Sequence, residues 1–189
     1  MIAARDKSTI NSFAPVIGER PHTLILGSMP GRASLAARQY YAWPHNAFWP
    51  IMAELYGFDA RLHYPLRLQK LAHNGILLWD VLQQCQRSGG SLDSAIDPRS
   101  EIPNAIPQLL AREPTIRRIC FNGGKAWSSF RRHLLAQIAD IESYELHLLP
   151  STSPANARMK YAQKCSAWRQ ALLPTALPGK SSTKRCARQ

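Results

Sequence analysis

Four short apolar runs punctuate the chain, at Thr23 to Gly27, Gly75 to Trp79, Arg118 to Phe121 and Glu145 to Leu149. Their apolar positions are mostly continuous rather than alternating, which predicts strands covered on both faces. Between them apolar residues recur at helical spacing: Phe48, Met52 and Leu55; Ile102, Ile106 and Leu109; and, after Gly124, Trp127, Phe130, Leu134 and Ile138. A last helix is predicted over Asn156 to Leu172, carrying Met159 and Trp168. Strands alternating with helices predict an α/β protein, a parallel sheet inside an α/β/α sandwich. Ligands of such sheets bind beyond the carboxyl ends of the strands. Four segments occupy those places: Gly27 to Ser34, Asp80 to Val81, Asn122 to Lys125, and Pro150 to Asn156.

Composition bounds this picture. The 189 residues suffice for one domain with its own core, and 45% apolar against 19% charged residues is globular usage. We expect a single domain over residues 1–174. From Thr175 to Gln189 the character changes: four basic residues, no acid, Pro178-Gly179 and two serines read as a basic, disordered tail. The tail carries +4 of the formal charge of +12 and leaves +8 to the domain. That excess points to a polyanionic partner, nucleic acid first and an acidic membrane surface second. No apolar run is long enough to span a bilayer, and the N-terminus lacks the apolar stretch of a secretory signal. Cys85, Cys120, Cys165 and Cys186 are widely spaced with no C-x-x-C pair, so a metal site has little support and reduced cytosolic thiols are expected. Cys120, within an apolar run, reads as a buried small hydrophobe.

Three segments carry candidate chemistry. Leu26-Gly27-Ser28-Met29-Pro30-Gly31 is a tight loop, either a plain turn or one that aims its amides at a ligand. It lacks the Gly-Lys-Ser/Thr of a phosphate-binding loop and the dinucleotide fingerprint. Tyr40 to Trp49 crowds five aromatics, His45 and Asn46 around Pro44. Asn46 there either caps the following helix or lines a pocket, orienting a water or a base edge beside a stacking ring. In Leu149-Pro150-Ser151-Thr152-Ser153-Pro154-Ala155-Asn156, two prolines bracket three hydroxyls. This is an ordinary hydroxyl turn or a phosphate grip, the latter favoured by Arg158, Lys160 and Lys164. Asp80, at a strand end, is a general base or a turn cap. His22, His63, His73, His133 and His147 have no evident carboxylate or cysteine partner in sequence. Lys125 after Gly123-Gly124 is a candidate Schiff-base nucleophile, against which stands its expected place at a helix start.

Taken together, the segments resemble the uracil-DNA glycosylase superfamily and, within it, the hypoxanthine-DNA glycosylase family. The matching residues, in family order, are Leu24 to Gly31 with Ser34; Tyr40-Tyr41-Ala42 with Pro44, Asn46, Phe48 and Trp49; Gly75 to Leu82 with Cys85; Ser91-Leu92-Asp93 with Ile96; Phe121-Asn122-Gly123; and Leu149 to Asn156. They span Thr23 to Trp168. The resemblance implies a three-layer α/β/α sandwich with a central four-stranded parallel sheet. It implies a monofunctional glycosylase that needs no metal or organic cofactor. It places the catalytic Asn at Asn46 and the base-stacking aromatic at Tyr41. Gly27, Ser28, Met29 and Asn122 are then expected to contact the base. Ser151, Thr152, Ser153, Asn156, Arg158 and Lys160 are expected to hold DNA. A side chain between Ser153 and Arg158 is expected near the gap left by the base.

The first loop has no Asn or Asp where related mismatch-specific enzymes carry their catalytic Asn. Leu149 stands where related enzymes often carry a His that stabilises a departing uracil anion, and Trp43 stands where the family often has His. The expected partner is therefore DNA containing a deaminated base, above all deoxyinosine, attacked by a monomeric cytoplasmic enzyme (nucleoid-associated in a bacterium). Uracil or a broad range including xanthine is the near alternative. A non-catalytic nucleic-acid-binding module and a small-molecule α/β enzyme are the distant ones.

Overall fold

The computed structural model describes residues 7–88 and 92–173. The basic tail with Cys186, and Ser91 of the third matching segment, lie outside the described residues. In chain order the elements are β1 (Lys7–Asn11), β2 (Thr23–Gly27), α1 (Arg32–Ala37), α2 (Phe48–Tyr56), α3 (Tyr64–His73), β3 (Ile76–Asp80) and β4 (Leu82–Ser88). There follow β5 (Ile102–Pro103), α4 (Ile106–Arg112), β6 (Arg118–Asn122), α5 (Gly124–His133), β7 (Glu145–Leu149) and α6 (Tyr161–Leu172).

The four apolar runs form one parallel sheet in the order β3-β2-β6-β7. Successive side chains of a strand point to opposite faces. Leu24, Leu26, Leu77, Trp79, Ile119 and Phe121 therefore pack on one side, with Ile106, Leu109 and Leu110 of α4 and Ala126 and Phe130 of α5. Ile25, Ile76, Leu78 and Cys120 pack on the other, with α2, Leu71 of α3 and Cys165, Trp168 and Leu172 of α6. Covering both faces is what hides the strand alternation. The α/β/α sandwich around a four-stranded parallel sheet is borne out, with strand limits moved by a residue at β3 and β6.

Other expectations are corrected. A second, antiparallel sheet, β1-β4-β5, extends the first core through Ile10, Leu82 and Cys85. Ile102 belongs to that sheet and is half-exposed rather than sharing a helical face with Ile106. It precedes Pro103, which disfavours helical backbone at that position. Helix α5 stops at His133, and Ile138 packs on the core from beyond a 3₁₀ turn. Helix α6 starts at Tyr161, where the Gln163 side chain accepts the Lys160 amide (2.9 Å), so Asn156 and Met159 precede it. His133 does have a carboxylate partner. Glu101, whose side chain is fully buried, accepts from His133 Nε2 (2.8 Å) and Ser129 and pairs with Lys125. This pairing occupies the Lys125 amine.

Candidate active site

The carboxyl ends of the strands converge on one cavity of about 960 Å³. Gly27 ends β2, Asp80 ends β3, Asn122 ends β6, and Ser151 follows β7 by two residues. The loops are stitched together by main-chain bonds. Val81 and Leu82 donate to the carbonyls of Gly27 and Ser28 (2.8 and 3.1 Å), Gly123 to Leu149 (3.0 Å), and Ala47 to Thr152 (2.9 Å). Two glycines permit this closeness. A methyl group on Gly27 would come within 2.3 Å of Asp80 Oδ1, and one on Gly123, at φ +97°, within 2.8 Å of Ser151 Cβ.

Tyr41 is held in a left-handed conformation, φ +54°, uncommon for a residue with a side chain. Neighbouring bonds fix it there: Ala42 N–H donates to Ser34 Oγ (3.2 Å) and Tyr40 N–H to the Tyr64 hydroxyl (2.9 Å). One face of the Tyr41 ring stacks on Phe48, centroids 3.9 Å apart. Its hydroxyl is buried without a hydrogen-bond partner. Asn46 performs the capping task in a variant form: its Oδ1 accepts the Phe48 amide (3.0 Å), two residues on. The same bond fixes the carboxamide on the cavity wall, and the oxygen's second lone pair remains for another donor. Capping and a chemical role are therefore compatible.

Of the residues named from sequence, the cavity wall brings together Gly27, Ser28, Met29, Tyr41, Asn46, Asn122, Ser151, Thr152, Ser153 and Asn156. Arg158 and Lys160 are exposed and lie off that wall. The Asn122 carboxamide is committed to Thr152, accepting its amide and donating to its hydroxyl, both at 2.9 Å. Thr152 is fully buried, and its carbonyl accepts from Ala47. These two form a strut between β6 and the loop after β7 on the cavity wall. Ser28 turns its hydroxyl to Asp93 Oδ1 (2.6 Å). Ser151 and Ser153 hydroxyls accept the amides of Ser153 and Ala155 (3.3 and 3.2 Å), and Lys164 Nζ donates to the Ser153 carbonyl (3.2 Å).

The wall also holds residues to which no role was given. Trp43 and Leu92 are half-exposed there, and Asp93 joins Asp80 as a second acid. Only folding reveals this pairing, since Asp93 stands 65 positions beyond Ser28. Asp80 is 3% exposed, and its Oδ2 has no partner. Burial, reinforced by the Asp93 charge and offset by Arg87, pushes it from 3.8 up to about 8. Burial therefore favours its neutral, protonated form.

A stability test follows. A group raised on folding contributes fully below its unfolded value and loses that contribution as pH rises through its folded value. Wild type thus loses stability through Asp80 between about pH 4 and 8, at about 1.4 kcal/mol per pH unit. Asp80→Asn escapes this loss. Thermal unfolding should show the two proteins alike near pH 4 and the variant more stable at pH 8 to 9. A difference that does not change with pH would contradict the assignment.

Comparisons with known proteins complete the description. The family model described as Uracil DNA glycosylase superfamily matches residues 15–175. A Methanosarcina barkeri protein named hypoxanthine DNA glycosylase is 36% identical over 160 residues, 84% of this chain and 95% of its own. A Methanosarcina acetivorans protein of the same name is 39% identical over 147 residues, 77% of this chain and 87% of its own. A solution NMR structure of a Methanosarcina acetivorans protein, provisionally named a uracil DNA glycosylase, superposes with a TM-score of 0.72 at 34% identity. It covers 87% of this chain and 97% of its own.

Proposed function

The chain belongs to the uracil DNA glycosylase superfamily, and from that premise we propose that it hydrolyses the N-glycosidic bond of deoxyinosine in DNA, releasing hypoxanthine and leaving an abasic site. The observation that carries the reading is the convergence of Tyr41 and Asn46 on one cavity at the carboxyl edge of the parallel sheet. The two relatives named for hypoxanthine favour that base. Leu149, where a histidine would serve a departing uracil anion, counts against uracil.

The reacting carbon is inaccessible inside a duplex, so the nucleotide is extruded, at a cost of a few kcal/mol that a damaged pair lowers. Tyr41, backed by Phe48, offers its other face to the purine. The N–H groups of Ser28 and Met29 meet the base edge. Asn46 Oδ1 accepts from a water and turns its lone pair toward C1′, while the sugar gains oxocarbenium character as the base departs. The loop from Ser151 to Asn156, with Arg158 and Lys160 beyond it, holds the flanking backbone electrostatically. The domain of residues 1–174 acts as a monomer in the cytoplasm, with the tail adding unspecific attraction to DNA. No helix among the described residues is long and apolar enough to cross a membrane.

The test is base release from duplexes carrying one inosine or one uracil, revealed by alkaline cleavage. Inosine should be released and uracil much more slowly. Release of uracil alone overturns the substrate. No release, with tight salt-sensitive binding, overturns the enzyme in favour of a binding module.

A further inference from the structure

Hydrolysis leaves one proton without a destination: the attacking water must lose it, and the Asn46 carboxamide has no basic site for it. The cavity wall limits the candidates among the described residues. Arg32 is a permanent cation. Burial holds Tyr40 and Tyr41 as neutral phenols. Burial and the neighbouring Asp93 charge push Asp80 toward its protonated form, and its side chain is almost wholly buried. Asp93 remains. It is only partly buried, lines the same cavity, and is anchored on the first loop by the Ser28 hydroxyl at 2.6 Å. Resting on the deoxyinosine reading, we propose that Asp93 is a second catalytic residue, the base that takes the proton of the water oriented by Asn46.

The step balances. The water oxygen bonds to C1′ as the C1′–N9 bond breaks. The bonding pair leaves with hypoxanthine, which regains a proton from solvent. The water's proton passes to the Asp93 carboxylate and from there to solvent.

An independent observation marks this end of the cavity as built for a ligand: Asp80 Oδ2 and the Tyr41 hydroxyl are both buried beside it without partners. The groups facing Asp93 are the Ser28 donor, the cations Arg87 of β4 and Lys125 of α5, and Asp80, which feels its charge. Burial outweighs the donor and the cations and raises its affinity for protons above that of an ordinary carboxylate, which suits a base.

The experiment is single-turnover release of hypoxanthine from an inosine duplex between about pH 5 and 9. It compares wild type, Asp93→Asn and Ser28→Ala, with thermal unfolding and binding to an abasic-site duplex measured alongside. Wild-type rates should fall at acid pH as Asp93 is protonated. Asp93→Asn should lower the plateau about 10²- to 10³-fold and abolish the acid limb, with binding within about threefold. Ser28→Ala removes a donor that favours the anion, so the limb should move to higher pH, with a smaller loss of rate. A folded, binding-competent Asp93→Asn with the wild-type rate and acid limb overturns the proposal. Should that variant fail to fold, an unmoved limb in Ser28→Ala overturns it. A wild type inactive on inosine overturns the substrate reading itself and takes this proposal with it, a result distinct from the others.

Discussion

Replacing Asn46 by alanine should lower the single-turnover rate of hypoxanthine release about 10²- to 10⁴-fold while leaving affinity for an abasic-site duplex within a few-fold. The expectation rests on what the carboxamide does in this fold. Its oxygen is fixed by the Phe48 amide, 3.0 Å away, at the first turn of α2. A water accepted by the remaining lone pair is held at one place relative to the sugar, and the entropy of that placement is removed from the barrier. Alanine removes both the water's acceptor and the partner of the Phe48 amide. The second loss should cost about 1 kcal/mol of stability, as for other caps, and a modestly lower melting temperature is expected with it. Rates are therefore compared at a temperature where both proteins are fully folded and with enzyme saturating. Asn46→Asp keeps an acceptor but adds charge, so it should retain more activity than alanine. An alanine variant within threefold of wild type would remove Asn46 from the reaction.

The parallel sheet was legible because its residues meet apolar neighbours on both faces, which leaves runs such as Leu24-Ile25-Leu26 and Ile76-Leu77-Leu78 unbroken. Strand β4 was not legible for the opposite reason. Leu82-Gln-Gln-Cys-Gln-Arg-Ser88 buries only Leu82, Cys85 and Arg87, without strict alternation and with few residues that favour strands. The same physics divides the candidate site. Asn46 and Tyr41 lie in one dense local segment, and the glycine and proline loops announce themselves by composition. Pairings made by chain reversal leave no local trace: Ser28 with Asp93, Asn122 with Thr152, and Glu101 with both Lys125 and His133. Sequence therefore showed which types of group were available. The fold decides which of them meet: it joins the Asn122 and Thr152 side chains and brings the Asp93 carboxylate to the same cavity wall.

The second large effect is expected at Trp168, remote from the proposed reaction but beneath the loop proposed to hold DNA. Its ring is fully buried against the sheet, meets Phe48 edge to face with centroids 6.0 Å apart, and donates its indole N–H to the Pro150 carbonyl at 3.0 Å. Trp168→Ala opens a cavity between α6 and α2 and should cost about 3–5 kcal/mol, a large share of the roughly 5–15 kcal/mol by which domains are stable. Trp168→Phe separates volume from hydrogen bond. It restores most of the packing but leaves the Pro150 carbonyl without its donor, at about 1–3 kcal/mol. Two measurements distinguish these contributions: the urea midpoint and the affinity for an abasic-site duplex. The alanine variant should lose far more in the first. The phenylalanine variant should be the more informative in the second. Pro150 begins the segment whose Thr152 braces Asn122 and Ala47, so loosening it should weaken DNA binding severalfold in a protein that remains folded. Equal losses of stability in the two variants would show that ring volume is not what Trp168 contributes. Wild-type affinity in Trp168→Phe would show that the loop keeps its shape without the indole bond.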